Sequence, residues 1–221
     1  MPSSLRSCFA ILTVAFLSSP ASFAFDTPLS DQAVREAYFL GQRHDGTFTS
    51  LLGKYMKSLP PPKSGPYISS ITFLTPFAQL VQLSDRRIGN YSAQQARLDH
   101  LGQAELVKIF IEIQLTPSYG AFIPPPGSSR SSSPPALIPR PRDFWRGFQV
   151  QIFDDKQILL PSDSHGRAIY RCGRSGLCSL TGATLEFDFP ADAFTSDSAA
   201  IQVLPPEGDP VSVDFNLSSL R

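Results

Sequence analysis

Apolar residues recur along this chain at two different spacings. Ala33, Val34, Ala37, Tyr38 and Leu40-Gly41 follow three- and four-residue steps, while Asp31, Gln32, Arg35, Glu36 and Arg43 face elsewhere. That period predicts an amphipathic helix opened by Ser30 as N-cap. A second stripe, Phe48, Leu51, Leu52, Tyr55 and Met56, predicts another helix closed by Leu59-Pro60-Pro61-Pro62, where proline forbids continuation. From Ile68 to Leu83 the residues are β-branched and aromatic, interrupted by Pro76, which reads as one bent edge strand or two short ones. Ser92 and Gln95 form a capping box for a small helix, with Gly102 as its stop. From Glu105 to Thr116 the period becomes two: Val107, Ile109, Ile111, Ile113 and Leu115 share one face, and Lys108, Glu112 and Gln114 the other.

Gly120 to Arg142 breaks the pattern with Pro124-Pro125-Pro126-Gly127 and a serine-rich run. Without an apolar period it predicts an extended loop. Strand patterns dominate afterwards. Phe148, Val150 and Ile152 alternate with glutamines, Leu185, Phe187 and Phe189 with carboxylates, and Ile201–Leu204 faces Val211–Phe215 across a Pro-rich turn. Even spacing and Gly/Pro turns predict a mainly β fold. The expected form is an antiparallel, immunoglobulin-like β-sandwich with two short N-terminal helices and one small inserted helix. The expected organisation is a leader at 1–24, a helical segment at 25–64, and a sandwich domain at 65–221 carrying the Pro/Ser-rich loop at 120–142.

The leader reading rests on Arg6, the apolar run Phe9–Leu17, the breaker Ser18-Ser19-Pro20, and small Ser22 and Ala24 before Phe25. Nine apolar residues are too few to span a bilayer, which needs about 20. No second long apolar run follows, so no transmembrane segment is expected after cleavage. Removal of the leader takes Cys8 with it and leaves Cys172 and Cys178. An even pair in an exported chain, with five residues including two glycines between its members, predicts a disulfide across a hairpin. An extracytoplasmic location, periplasmic or secreted, follows.

Nineteen Lys and Arg balance nineteen Asp and Glu, which argues against a nucleic-acid partner. The sequence contains no H-E-x-x-H, G-x-S-x-G, phosphate-cradling or calcium-loop pattern, and its three histidines are isolated. No cofactor or metal is therefore expected. Ser162-Asp163-Ser164-His165-Gly166 holds a hydroxyl, a carboxylate and an imidazole. Neighbours on a strand point to opposite faces, so the stretch reads as a polar turn. Arg142, Trp145 and Arg146 form a basic, aromatic set after the long loop and are the candidate contact residues for an envelope protein or glycan.

The stretches Glu36-Ala37-Tyr38-Phe39-Leu40-Gly41-Gln42-Arg43 and Tyr91-Ser92-Ala93-Gln94-Gln95-Ala96 resemble a group of uncharacterised exported bacterial proteins. The resemblance covers roughly residues 30–116 and implies a bacterial extracytoplasmic location, with no activity attached. The expected function is a non-enzymatic binding or interaction module of the cell envelope. The alternatives are a secreted hydrolase using Ser164, His165 and a distant carboxylate, and a small-ligand carrier with a cavity of about 300 Å³ or more among its seventeen phenylalanines.

Overall fold

The computed structural model describes residues 24–221, apart from 44, 88, 90, 125–136 and 175. The expected leader, Ala24 aside, and the centre of the Pro/Ser segment lie outside the described residues. Among the described residues there are four α-helices: α1 (Asp31–Gly41), α2 (Thr47–Lys54), α3 (Pro76–Arg86) and α4 (Ala93–His100). The strands are β1 (Met56–Ser58), β2 (Tyr67–Leu74), β3 (Leu106–Gln114), β4 (Phe122–Ile123), β5 (Ile138–Pro139), β6 (Gln149–Asp154), β7 (Gln157–Leu159), β8 (Asp163–Cys172), β9 (Cys178–Pro190), β10 (Ser198–Leu204) and β11 (Val211–Asn216).

The expected caps form. Ser30 Oγ accepts the Ala33 N–H at 3.1 Å, and Ser92 Oγ accepts the Gln95 N–H at 3.1 Å. Three helices were expected and four are found, because Ile68–Leu83 is a strand followed by a helix. Pro76 does not merely bend a strand here. It occupies the first position of α3, where its missing N–H has no helical partner to lose and its fixed φ suits the helix. The Thr75 hydroxyl accepts the Ala78 N–H at 3.3 Å, and Phe77, Ala78, Leu80 and Val81 are buried at helical spacing. Gly41 lets α1 lie close against α3: a Cβ there would stand 2.4 Å from the Val81 carbonyl oxygen. The second N-terminal helix also stops earlier than its stripe suggests. Met56–Ser58 leaves it and pairs with Ser70–Thr72 of β2.

Pairing is antiparallel throughout. A five-stranded sheet runs β1-β2-β3-β9-β8, a four-stranded sheet β11-β10-β6-β7, and β4 pairs with β5. In β3 the two-residue period holds: Val107, Ile109, Ile111 and Ile113 are all fully buried. Opposite them on β9 stand Phe189, Phe187, Leu185 and Ala183. Residues 163–166 of the stretch expected as a turn instead open β8, with Asp163, Ser164 and His165 opposite Asp188, Phe187 and Glu186. Their polarity reflects an edge strand, where solvent reaches one flank and charge is tolerated.

Both large sheets contribute to one apolar cluster. Phe73 of β2 stands 5.6 Å from Phe215 of β11 and 5.1 Å from Phe194, centroid to centroid. Phe25 packs against the same rings, 6.4 Å from Phe73 and from Phe194. A second cluster lies among α1, α3 and α4. Tyr55 ties the far end of the chain to this body. Its hydroxyl donates to the Arg221 carbonyl at 3.1 Å and accepts the Arg221 N–H at 3.0 Å. Burial pushes the Tyr55 phenol above its ordinary range.

Candidate functional site

The face of the five-stranded sheet away from its core is charged, and register decides how the charges meet. On β9, Asp188 and Glu186 lie opposite Lys108 and Phe110 of β3 on one side and Asp163 and His165 of β8 on the other. Asp163 facing Asp188 is a like-charge pair, which destabilises a sheet unless a cation intervenes. Lys108 supplies that cation. Its Nζ lies 2.8 Å from Glu186 Oε1 and 2.9 Å from both Asp188 oxygens. Burial opposes the Lys108 charge, but the bonds to Glu186 and Asp188 outweigh it, and the ammonium is held above its ordinary pKa. His165 Nε2 lies 3.0 Å from Glu186 Oε2, and its Nδ1 lies 3.8 Å from Asp163 Oδ2.

A second polar hub closes the neighbouring corner. Glu105 Oε1 accepts the Leu29 N–H at 2.6 Å, Oε2 accepts the Thr27 hydroxyl at 2.7 Å, and Oε1 lies 3.0 Å from His100 Nε2. His100 is the last residue of α4, so one carboxylate joins the segment before α1, the end of α4 and the start of β3. Between these groups, α3 and the sheet, lies a groove of about 570 Å³. Leu80 and Leu83 line one wall, Phe110 and Lys108 the other, with Arg86, His100 and Arg167 around them.

The other end of the sheet carries a projecting hairpin. β3 ends at Gln114, opposite Gly182, while β8 and β9 continue together to Cys172 and Cys178. The disulfide Cys172–Cys178 closes the tip, as the spacing predicted. Leu177 is 77% exposed there, with Arg171 and Arg174 also exposed. A cleft of about 410 Å³ lies at its root, between Ala121 and Arg171. The β4–β5 ribbon exposes Phe122 and Ile138.

The candidate contact residues from sequence have definite places. Trp145 sits in a single 3₁₀ turn, Phe144–Gly147, not at the start of a strand. Its indole covers Gly166 of β8 so closely that a Cβ there would stand 2.5 Å from the ring. The Arg146 guanidinium lies 5.6 Å from the Trp145 ring and 3.5 Å from Asp143. Arg142 is exposed. The nearby Arg140, not singled out from sequence, stacks at 3.6 Å on Tyr119 and donates to the Gly120 carbonyl at 2.7 Å.

Strand alternation separates Ser164 from His165: the first pairs with Phe187 and the second with Glu186. They do not form a nucleophile–base pair, although a carboxylate does reach His165. Only the β8–β9 register brings His165 and Glu186 together, a relation no linear motif carries. Phenylalanine rings of the interior pack against one another, and the groove beside α3 and the cleft beside Arg171 lie on the sheet face and between loops. Among the described residues, no three His, Cys, Asp or Glu side chains gather as a metal-binding set, and no helix is long and apolar enough to cross a membrane. Comparison with protein-family models and with curated proteins finds no match to this chain.

Two predictions follow from these contacts. Gly166→Ala will push the only tryptophan off β8. Its fluorescence will shift to the red, and stability will fall by about 1–3 kcal/mol, the usual cost of overpacking. An unchanged emission maximum contradicts the packing. Lys108→Met will cost about 2 kcal/mol at pH 7, measured by urea unfolding, because the acids of β9 lose their shared cation. The folded pKa of Lys108 is raised, so its contribution is complete below the ordinary lysine range and is lost as pH climbs through the raised value. The gap between wild type and variant will therefore be constant from pH 6 to 9 and narrow above about pH 10.4. A gap that narrows between pH 6 and 9 contradicts the assignment.

Proposed function

We propose that this protein is an exported, non-enzymatic binding module of the bacterial cell envelope, acting outside the cytoplasm after removal of a leader that ends at Ala24. The single observation that carries this reading is the β8–β9 hairpin, which projects past β3, is closed by Cys172–Cys178 and exposes Leu177 beside Arg171 and Arg174. A covalently closed tip loses less conformational entropy when a partner orders it. An apolar side chain flanked by guanidiniums suits a protein or glycan surface with an apolar spot and anionic or hydrogen-bonding neighbours. In the same reading, the two sheets form an antiparallel sandwich of immunoglobulin-like kind, supported by the apolar cluster they share and by the Phe73–Phe215 contact. Arg142 adds a free charge to the contact set, while Trp145 and Arg146 serve mainly to hold each other and β8.

The alternative is a secreted hydrolase, favoured by the 3.0 Å approach of His165 to Glu186 on an open sheet face. One set of samples separates the two. A photo-crosslinking residue at position 177 in intact cell envelopes will give one discrete adduct, lost in the Cys172→Ser/Cys178→Ser variant. The same probe at the exposed Phe39 will not give that adduct. No adduct at 177, or identical adducts at both positions, contradicts the binding reading. Ester or glycoside hydrolysis that disappears in His165→Ala would establish the enzyme instead.

A further inference from the structure

We infer that the groove between α3 and the outer face of the five-stranded sheet binds an amphiphilic anion, a single carboxylate or phosphate head on an aliphatic tail, gripped by Arg86 and Arg167. The groove is lined by three carboxylates, one lysine and two arginines. Its three carboxylates each have a hydrogen-bonding partner within the protein. Asp99 pairs with Arg87 at 2.9 Å, Glu105 with His100 at 3.0 Å, and Glu186 with Lys108 at 2.8 Å and His165 at 3.0 Å. The groove's one lysine, Lys108, is taken up by Glu186 and Asp188. Arg86 and Arg167 remain, and among the described residues neither side chain has a hydrogen bond, an ion pair or a ring contact. An anion entering the groove therefore meets two guanidiniums without a partner, while each carboxylate of the lining is already hydrogen-bonded within the protein.

The two cations come from opposite sides of the groove. Arg86 ends α3, and Arg167 projects from β8 opposite Thr184 of β9. Guanidinium forks present paired N–H donors that suit carboxylate or phosphate oxygens. The remaining lining requires a tail. Leu80, Leu83, Leu106 and Phe110 give the groove an apolar floor, and Phe110 is half-exposed on a sheet face whose other outward residues on β3 are Lys108, Glu112 and Gln114. A volume of about 570 Å³ lies within the range of small-molecule sites, about 300–1,000 Å³. This site lies apart from the hairpin tip, so it adds a ligand to the binding module and does not depend on the partner at Leu177.

The purified full chain is titrated by calorimetry with sodium decanoate, decyl phosphate, decanol and inorganic phosphate, all below micelle formation. At least one of the two charged amphiphiles will bind at least tenfold more tightly than both decanol and inorganic phosphate. Which head binds more tightly distinguishes a carboxylate ligand from a phosphate one. The Arg86→Gln/Arg167→Gln variant will lose at least tenfold of that affinity with unchanged thermal unfolding, since both side chains are exposed and unpartnered. Arg146→Gln, which removes a guanidinium outside the groove, will bind as wild type does. Phe110→Ala will weaken the decyl ligands and leave any weak inorganic phosphate binding unchanged. The inference is overturned if neither charged amphiphile exceeds decanol, if the double arginine variant binds as wild type does, or if Arg146→Gln weakens binding equally.

Discussion

The pairing of β3 with β9 is the joint on which the rest depends. It runs from Leu106 opposite Pro190 to Gln114 opposite Gly182 and connects the strands of the first half of the chain, β1-β2-β3, to those of the second, β9-β8. Its inner face aligns Val107, Ile109, Ile111 and Ile113 with apolar residues of β9, so the central core is built along it. Its outer face sets Lys108 against Asp188 and beside Glu186, so the electrostatics of the open face are fixed by the same register. A slip of one residue would bury the lysine and expose the isoleucines, an exchange of several kcal/mol per group that locks the alignment.

The two open regions are consequences of where that joint stops. At one end β8 and β9 outrun β3, and the unsupported hairpin is closed by a disulfide in place of a third strand. At the other end the chain before β3 is held by Glu105, whose carboxylate gathers Thr27, Leu29 and His100. The groove lies between that anchor and the lysine clamp. Its walls are held by separate contacts: α3 by the close approach of Gly41 in α1 and by Thr75 at its cap, and the sheet by the pairing itself. An anion site formed this way needs little reorganisation to receive a ligand.

Much of the fold was legible because its signals are local. Ser30, Ser92 and Gly102 bounded helices where their side chains or backbone freedom suggested, and the alternation in β3 named Val107, Ile109, Ile111 and Ile113, while Leu115, expected on the same face, lies past the strand's end and is only partly buried. The cysteine pair was legible for the same reason, since a hairpin only six residues apart constrains itself. Pro76 was misread because one residue carries two meanings: it breaks a strand, and it also starts a helix when a threonine precedes it. Asp163–Gly166 was misread because turn formers also populate edge strands once a partner such as β9 supplies the pairing. The site was scarcely legible. Lys108 and Glu186 are 78 residues apart, and nothing in a linear pattern reports a cross-strand register over that distance. Trp145 stood out in the sequence as a candidate contact residue, but its packing partner Gly166 was invisible until β8 was in place.

Amide hydrogen exchange of the native protein tests the central joint most directly. The β3–β9 pairing as the organising contact predicts that the amides of Val107, Ile109 and Ile111 and their β9 partners exchange last, together, and at the rate of global unfolding. The amides of the Tyr170–Leu180 tip and of β1 should exchange by smaller openings. Exchange of β3 and β9 at separate rates, or protection of β10 and β11 that outlasts them, would contradict it.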